Sequence, residues 1–282
     1  MTLDINETVT GIIQNALRED LGHLGDITTN AICNRGQTTG ARILTKSRGI
    51  IAGLDFAVET FYLVDRTLSI DKKVRDGAAV EQGTKLISIR GATSAILIAE
   101  RTALNILGRL SGIATHTSRF VEKLAGSPTR ILDTRKTTPG WRSLEKYAVR
   151  CGGGENHRMG LYDMFLIKEN HIAEAGSITN AVKSCRDYAK KQGFQAKIEV
   201  ETTNMKEVRE AVDLKVDRIM LDNMAIRDII SCVAHVAGRI PLEVSGNVTL
   251  ENVAEIARCG VDYISIGSIT HSAPNLDVSL LL

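Results

Sequence analysis

The second half of the chain repeats one rhythm: a short apolar run, a polar cluster, a helical pattern, then the next run. The runs are RILDTRK, MFLIKEN, KIEVET, RIMLDN, PLEVSGN and DYISIGS. From the second run onward their polar ends fall at Lys168, Glu201, Asp222, Ser245 and Gly267, in steps of 33, 21, 23 and 22 residues. Helical patterns at Met205 to Val212, Ala225 to Val236 and Leu250 to Cys259 lie between them. A strand plus its return helix takes about 20–25 residues, so the spacing predicts parallel βα units in a barrel or a doubly wound sheet. No G-x-G-x-x-G follows a first strand and no G-x-x-x-x-G-K-[ST] occurs, which removes the two common nucleotide-binding sheets. A complete eight-fold barrel takes about 250 residues, more than this half of the chain offers. The expected architecture is therefore an incomplete, open parallel α/β barrel over residues 111–271, preceded by an α+β sandwich module over residues 1–110.

The first module carries a different pattern. Val9, Ile12, Ile13, Ala16, Leu17 and Leu21 recur at helical spacing between Asn6 and Leu21. The stretches ARILTKS, GIIAGLDFAV, TLSIDKKV and KLISIRG read as short strands separated by glycine-containing turns. The phrase DGAAVEQGTKLISIRG is similar to the hairpins of lipoyl and biotinyl carriers. The lysine of Asp71-Lys72 precedes the phrase rather than following it, so the likeness is one of sheet architecture and not of a carrier. Glu100 to Leu124 reads as one long connecting helix, with Gly112 as a break or a close-packing point. The sequence leaves open whether the tail, residues 272–282, packs back on the first module.

Composition narrows the partners. Thirty-five Lys and Arg against 33 Asp and Glu leave a formal charge of +2, so no global polycation addresses nucleic acid or a membrane surface. No apolar run approaches the roughly 20 residues of a membrane span. The start, MTLDINETVT, has neither the basic residues nor the apolar stretch of a signal peptide. Five scattered cysteines without a C-x-x-C argue against a disulfide framework or a structural zinc site. A cytoplasmic protein is the expectation.

In α/β barrels the chemistry sits at the carboxyl ends of the strands. Here those ends carry Arg135 and Lys136, then Lys168, with His157 and Arg158 between them in CGGGENHRMGL. Cations gathered at one mouth call for an anion, with Arg offering a planar fork and Lys a compact charge. Gly152-Gly153-Gly154 either cradles a phosphate or makes a turn. Ser245-Gly246-Asn247 and Ile266-Gly267-Ser268 close the last two strands, where barrels often bind phosphate through backbone N–H groups. Glu201 and Asp222 end adjacent runs, as carboxylates for a hard cation or for sugar hydroxyls would. Glu199 falls on the same face as Glu201 in a regular strand, so the sequence leaves both open as the site carboxylate.

ERTALNILGRLSGIAT, the block LDTRKTTPGWRSLEKYAVRCGGGENHRMGLYDMFLIKENHI from Leu132 to Ile172, and IEVE, MLDN, LEVSGN and DYISIG together resemble the quinolinate phosphoribosyltransferase family of type II phosphoribosyltransferases (nicotinate-nucleotide pyrophosphorylase, carboxylating). The likeness runs in order along nearly the whole chain, loosely over the first ninety residues. It implies a pentosyltransferase making nicotinate mononucleotide, pyrophosphate and CO2 from quinolinate and 5-phosphoribosyl-1-pyrophosphate, with Mg²⁺, in NAD biosynthesis. It implies that Arg135, Lys136, His157, Arg158 and Lys168 hold quinolinate, with Thr134 joining the contact. Glu201 and Asp222 then serve the ribose and, through water, the metal. Ser245, Gly246, Asn247, Ile266, Gly267 and Ser268 hold phosphate. The implied catalytic set is Lys136, Lys168, Glu201 and Asp222. Arg101 would reach the site of a neighbouring subunit, which implies a homodimer or a higher assembly.

Three other readings stay open on the residues alone, one of them a non-catalytic phosphate-binding barrel. A related phosphoribosyltransferase-like protein would share the fold and take a different acceptor. A Schiff-base barrel lyase would use Lys168 as its nucleophile.

Overall fold

A computed structural model describes residues 6–282; the first five residues of the polar N-terminal stretch lie outside it. The chain divides into two compact units. One comprises residues 1–118, 137–153 and 268–282, and the other residues 119–136 and 154–267. The first unit also takes in the stretch after the TRK motif and the C-terminal tail.

The first unit opens with α1 (Glu7–Leu21) and α2 (Ile27–Ile32). Asn6 caps α1 by accepting from the Val9 N–H at 3.1 Å, and Asp26 caps α2 through Thr29 at 2.9 Å. Then follow β1 (Thr38–Thr45), β2 (Gly49–Ile50), α3 (Leu54–Val64), β3 (Ser69–Lys72), β4 (Ala79–Val80), β5 (Lys85–Ala92) and α4 (Thr93–Lys123). GIIAGLDFAV is thus a two-residue strand followed by a helix, not one strand. Leu54, Ala57 and Phe61 are buried at helical spacing. Gly53 adopts φ 97°, and the Asp76 carboxylate accepts from the N–H groups of Gly53 and Leu54 at 2.9 and 3.1 Å. That distant carboxylate starts the helix in place of a local cap.

The long helix begins at Thr93, seven residues before the predicted start, and runs unbroken through Gly112. A Cβ at Gly112 would collide with the Pro274 carbonyl, so this glycine permits a close approach of backbones and does not interrupt the helix. The end of the chain forms β12 (Val278–Leu281), antiparallel to β1 at one edge of a four-stranded sheet ordered β12-β1-β5-β3. Ile43, Leu86, Ile87, Phe61, Ile96, Leu107 and Leu276 build the core beneath it. α5 (Arg142–Cys151) and α11 (Ser268–His271) complete this unit. Arg109 binds the fully buried Glu145 of α5 at 2.8 Å and the carbonyls of Thr270 and Ala273 at 2.5 and 3.0 Å, joining three separated stretches of chain.

The second unit is a parallel sheet with return helices. Its elements are β6 (Arg130–Leu132), β7 (Phe165–Ile167), α6 (Glu169–Ala175), α7 (Ile178–Gln192), β8 (Ile198–Thr202), α8 (Met205–Asp213), β9 (Arg218–Asp222), α9 (Ile226–Val236), β10 (Leu242–Ser245), α10 (Val253–Arg258) and β11 (Tyr263–Ser265). The strand order is β6-β11-β10-β9-β8-β7, all pairs parallel, with β6 and β7 at the two edges. Six strands in place of eight give the open form expected from the length. Each strand is three to five residues, and Val200, Ile219, Leu221, Val244 and Ile264 are buried under the helices. Among the described residues no helix is long and apolar enough to cross a membrane.

Candidate active site

The polar clusters of the βα repeat do gather at the carboxyl ends of the parallel strands. In the register of the sheet Ser245 pairs with Asp222 on one side and with Ser265 on the other, so these residues share one level and one face. Glu201 pairs with Met220 one level below.

The segment carrying His157 and Arg158 is stitched to the end of β6. Glu155 and Leu132 form a parallel bridge beside the β6 edge. Asp133, fully buried, then accepts from the Asn156 side chain at 2.5 Å and from the His157 N–H at 2.9 Å. The loop after β6 continues as Thr134, Arg135 and Lys136, with Thr134 Oγ1 accepting from the Lys136 N–H at 3.1 Å. Arg135 and Lys136 are exposed.

Arg158 is half-buried. Its guanidinium donates to the Met164 carbonyl at 3.0 Å, while its buried Nε has no hydrogen-bond partner. Burial and then the nearby Arg135 charge lower its pKa, opposed by Asp163 and Glu199. A buried guanidinium N–H without a partner is the kind of donor that suits an anion. Asp163 braces the following turn by accepting from the N–H groups of Met159 and Gly160 at 2.7 and 3.1 Å.

Lys168 follows β7 and stands at the N-terminus of α6, where it forms an ion pair with Glu201 at the end of β8. Asp222 ends β9 and accepts from the Asn223 side chain at 2.8 Å. The Asn223 Oδ1 in turn accepts from Asn247 Nδ2 at 3.0 Å, and the Asn223 backbone N–H donates to the Ser245 carbonyl at 2.9 Å. Gly246 (φ 95°) and Asn247 (φ 50°) are both left-handed, and a Cβ on Gly246 would strike the Asn223 carboxamide. Asn252 closes the turn by accepting from the Thr249 N–H at 2.8 Å and donating to the Asn247 carbonyl at 3.0 Å. Beyond β11, the Ile266 side chain is buried and its N–H donates to the Leu132 carbonyl at 2.9 Å, and Gly267 is half-buried. Ser268 opens α11 and is counted with the first unit. Arg101 is an exposed residue of α4 in that unit. Gly152 is structural, since a Cβ there would meet the Ala114 carbonyl of α4.

Beneath this surface lies a group that the sequence reading left out or left undecided. Glu199 and Glu243 are fully buried, and His157 is 8% exposed. His157 Nε2 lies 3.1 Å from Glu199 Oε2 and 3.5 Å from Glu243 Oε1. Arg218 donates to Glu243 Oε2 at 2.8 Å and stacks over the Tyr263 ring at 4.3 Å. Burial pushes both carboxyls above their ordinary range, and the charge of Glu199 raises Glu243 further, to about 7. Glu199 and Glu201 do share a face, but they divide the work by depth: Glu201 meets Lys168 near the surface and Glu199 meets His157 in the interior. Asn223, which links Asp222 to the SGN turn, was visible in the sequence only as the last letter of MLDN.

Residues 113–281 match the family model of the quinolinate phosphoribosyl transferase C-terminal domain, and residues 26–111 match that of the N-terminal domain. The chain is 44% identical over 285 residues to decarboxylating quinolinate phosphoribosyltransferase 2a, mitochondrial, of Nicotiana tabacum, covering 96% of this chain and 81% of the relative. It is 43% identical over 284 residues to the carboxylating, chloroplastic nicotinate-nucleotide pyrophosphorylase of Arabidopsis thaliana, covering 95% and 81%. Its fold is similar to the nicotinate-nucleotide pyrophosphorylase of Francisella tularensis, with a TM-score of 0.94, 40% identity, and 99% and 97% of the two chains covered. With both domain models matched in order and relatives above 40% identity along nearly the whole chain, the chain belongs to the quinolinate phosphoribosyltransferase family.

Proposed function

We propose that this chain transfers the phosphoribosyl group of 5-phosphoribosyl-1-pyrophosphate to quinolinate and decarboxylates the product to nicotinate mononucleotide. The observation that carries the reading is the half-buried Arg158, whose buried Nε has no hydrogen-bond partner, on the segment stitched to the end of β6 beside the Thr134-Arg135-Lys136 loop. An ortho-dicarboxylate supplies the negative charges that these cations call for, and a neutral or apolar acceptor does not.

Arg135 and Arg158 bind the acceptor, and Lys136 and Lys168 orient the carboxylate at C2 of its ring. The pyridine nitrogen forms a bond to the anomeric carbon as the bond to pyrophosphate breaks. Positive charge develops on the ribose, and Glu201 and Asp222 stabilise it from the ends of β8 and β9. The positive charge of the ring nitrogen, now quaternary, stabilises the electron pair that the breaking C2–carboxylate bond leaves on C2; CO2 departs, and that pair takes a proton. Holding that carboxylate too tightly in the ground state would slow its loss, which favours a flexible lysine over a bidentate arginine there. The left-handed turn at Gly246 and Asn247, with Ile266, Gly267 and Ser268, receives phosphate.

Glu201 and Asp222 provide hard oxygen donors at adjacent strand ends, which suits Mg²⁺ held with the pyrophosphate-bearing substrate and through water. Bound there, the ion would neutralise charge on the departing pyrophosphate. We place Arg101 in the site of a neighbouring copy in a homodimer. The five free cysteines suit a reducing compartment such as the cytoplasm.

Replacing quinolinate with nicotinate tests the reading of the acceptor. Nicotinate lacks the C2 carboxylate, so turnover should fall at least a hundredfold. Equal turnover of both acids would favour a related transferase with a different acceptor. Inactivation by borohydride in the presence of a carbonyl substrate would favour a Lys168 Schiff base instead.

A further inference from the structure

The reaction proposed above does not use Glu199, Glu243 or Arg218, yet the second unit commits two fully buried carboxyl groups and a cation to one place behind Arg158. Buried acids are retained only when they are partnered. Here the partner they share is the ring of His157. Its Nδ1 accepts from the N–H of Arg158 at 2.8 Å. With Nδ1 accepting, the ring proton sits on Nε2, which faces the two carboxyl groups. The backbone N–H of His157 is held by Asp133 at 2.9 Å. The ring thus accepts at Nδ1 from the peptide of the arginine proposed to meet the acceptor, while its Nε2 faces the two buried carboxyl groups.

The three side chains also bring their ligand atoms within 4.8 Å of one another, a spacing at which a metal could be considered. Arg218 already supplies a counter-charge, at 2.8 Å from Glu243 and 4.0 Å from Glu199, so the carboxyl groups do not call for a metal ion as theirs.

We propose that Glu199 and Glu243 are positioning residues for the acceptor: they clamp His157, and through it set the place of Arg158. This rests on the quinolinate reading given above. The clamp acts on the site through His157 and the Arg158 N–H, so its loss should be felt chiefly by the acceptor.

Steady-state kinetics of the full-length protein with each substrate varied test the clamp. Glu243→Ala should raise the quinolinate KM about tenfold while the 5-phosphoribosyl-1-pyrophosphate KM stays within about twofold. Glu243→Gln keeps an oxygen for His157 Nε2 and should recover most of the loss. An unchanged quinolinate KM, with kcat falling only as the folded fraction falls, would overturn the clamp. So would a parallel rise in both KM values, or a Gln variant as impaired as the Ala variant. If Glu243→Ala does not fold, Glu199→Asp, which draws the carboxylate back by one methylene, should raise the quinolinate KM several-fold with the other unchanged. No change in that KM would overturn the clamp too. A wild type that does not turn over quinolinate removes both readings, whereas an active wild type with indifferent variants removes the clamp alone.

Discussion

Asn223 and Asn247 are joined by a side-chain hydrogen bond of 3.0 Å, and the same Asn223 carboxamide donates to Asp222 at 2.8 Å. One amide therefore sets the distance between the carboxylate proposed for the ribose and the turn proposed for the phosphate. Gly246 lies against that amide with φ 95°.

Gly246→Ala puts a Cβ into the Asn223 carboxamide and holds alanine in a left-handed conformation, a strain of about 1–3 kcal/mol. The 5-phosphoribosyl-1-pyrophosphate KM should rise about tenfold or more, with a smaller effect on quinolinate. Equal KM values for variant and wild type would show that the turn does not handle phosphate.

The cations divide by role. Arg135→Ala and Arg158→Ala each remove charge-assisted hydrogen bonds worth about 1.5–3 kcal/mol, so the quinolinate KM should rise roughly ten- to a hundredfold. Lys136→Ala and Lys168→Ala should instead act chiefly on kcat, because they orient the group that leaves. Kinetics with the opposite division, lysines in KM and arginines in kcat, would contradict the assignment.

Two helical glycines should respond in opposite directions. Gly112→Ala forces α4 away from the Pro274 carbonyl and should destabilise the protein by about 1–3 kcal/mol. Gly11, inside α1, has nothing within 4 Å of an added Cβ, and Gly11→Ala should stabilise by about 0.5–1 kcal/mol. Denaturant unfolding of both variants reads the pair; a stabilised Gly112→Ala would show that the close approach is not constraining.

Glu243 gives stability a definite pH slope. Burial and the charge of Glu199 raise its folded pKa to about 7, from an ordinary value of 4.5. Below pH 4.5 both folded and unfolded chains hold the proton and the contribution is complete. Above it the unfolded chain releases the proton first, so the contribution is lost as pH rises through 7. Glu243→Gln cannot titrate. Wild-type stability minus that of this variant should therefore fall between pH 5 and pH 8, and a flat difference would contradict the raised carboxyl.

The strand ends were legible because a parallel strand is an apolar run and its polar terminus marks the functional rim. That placed Lys168, Glu201, Asp222 and Ser245 on one face of one unit. Glu243 was not legible, since an acid within an apolar run looks the same whether it faces water or His157. Its partners Arg218 and His157 come from other segments, which periodicity does not connect. The same limit explains α3, whose apolar start looks like a strand until Asp76, distant in sequence, caps it. Gly112 looked like a possible break because Pro274, which it accommodates, lies near the other end of the chain.

The most direct measurement is product analysis with quinolinate labelled in its C2 carboxylate, 5-phosphoribosyl-1-pyrophosphate and Mg²⁺. The account predicts nicotinate mononucleotide, pyrophosphate and labelled CO2 in equal amounts. Folded protein that yields none of the three, or a phosphoribosylated product that retains the label, would contradict it.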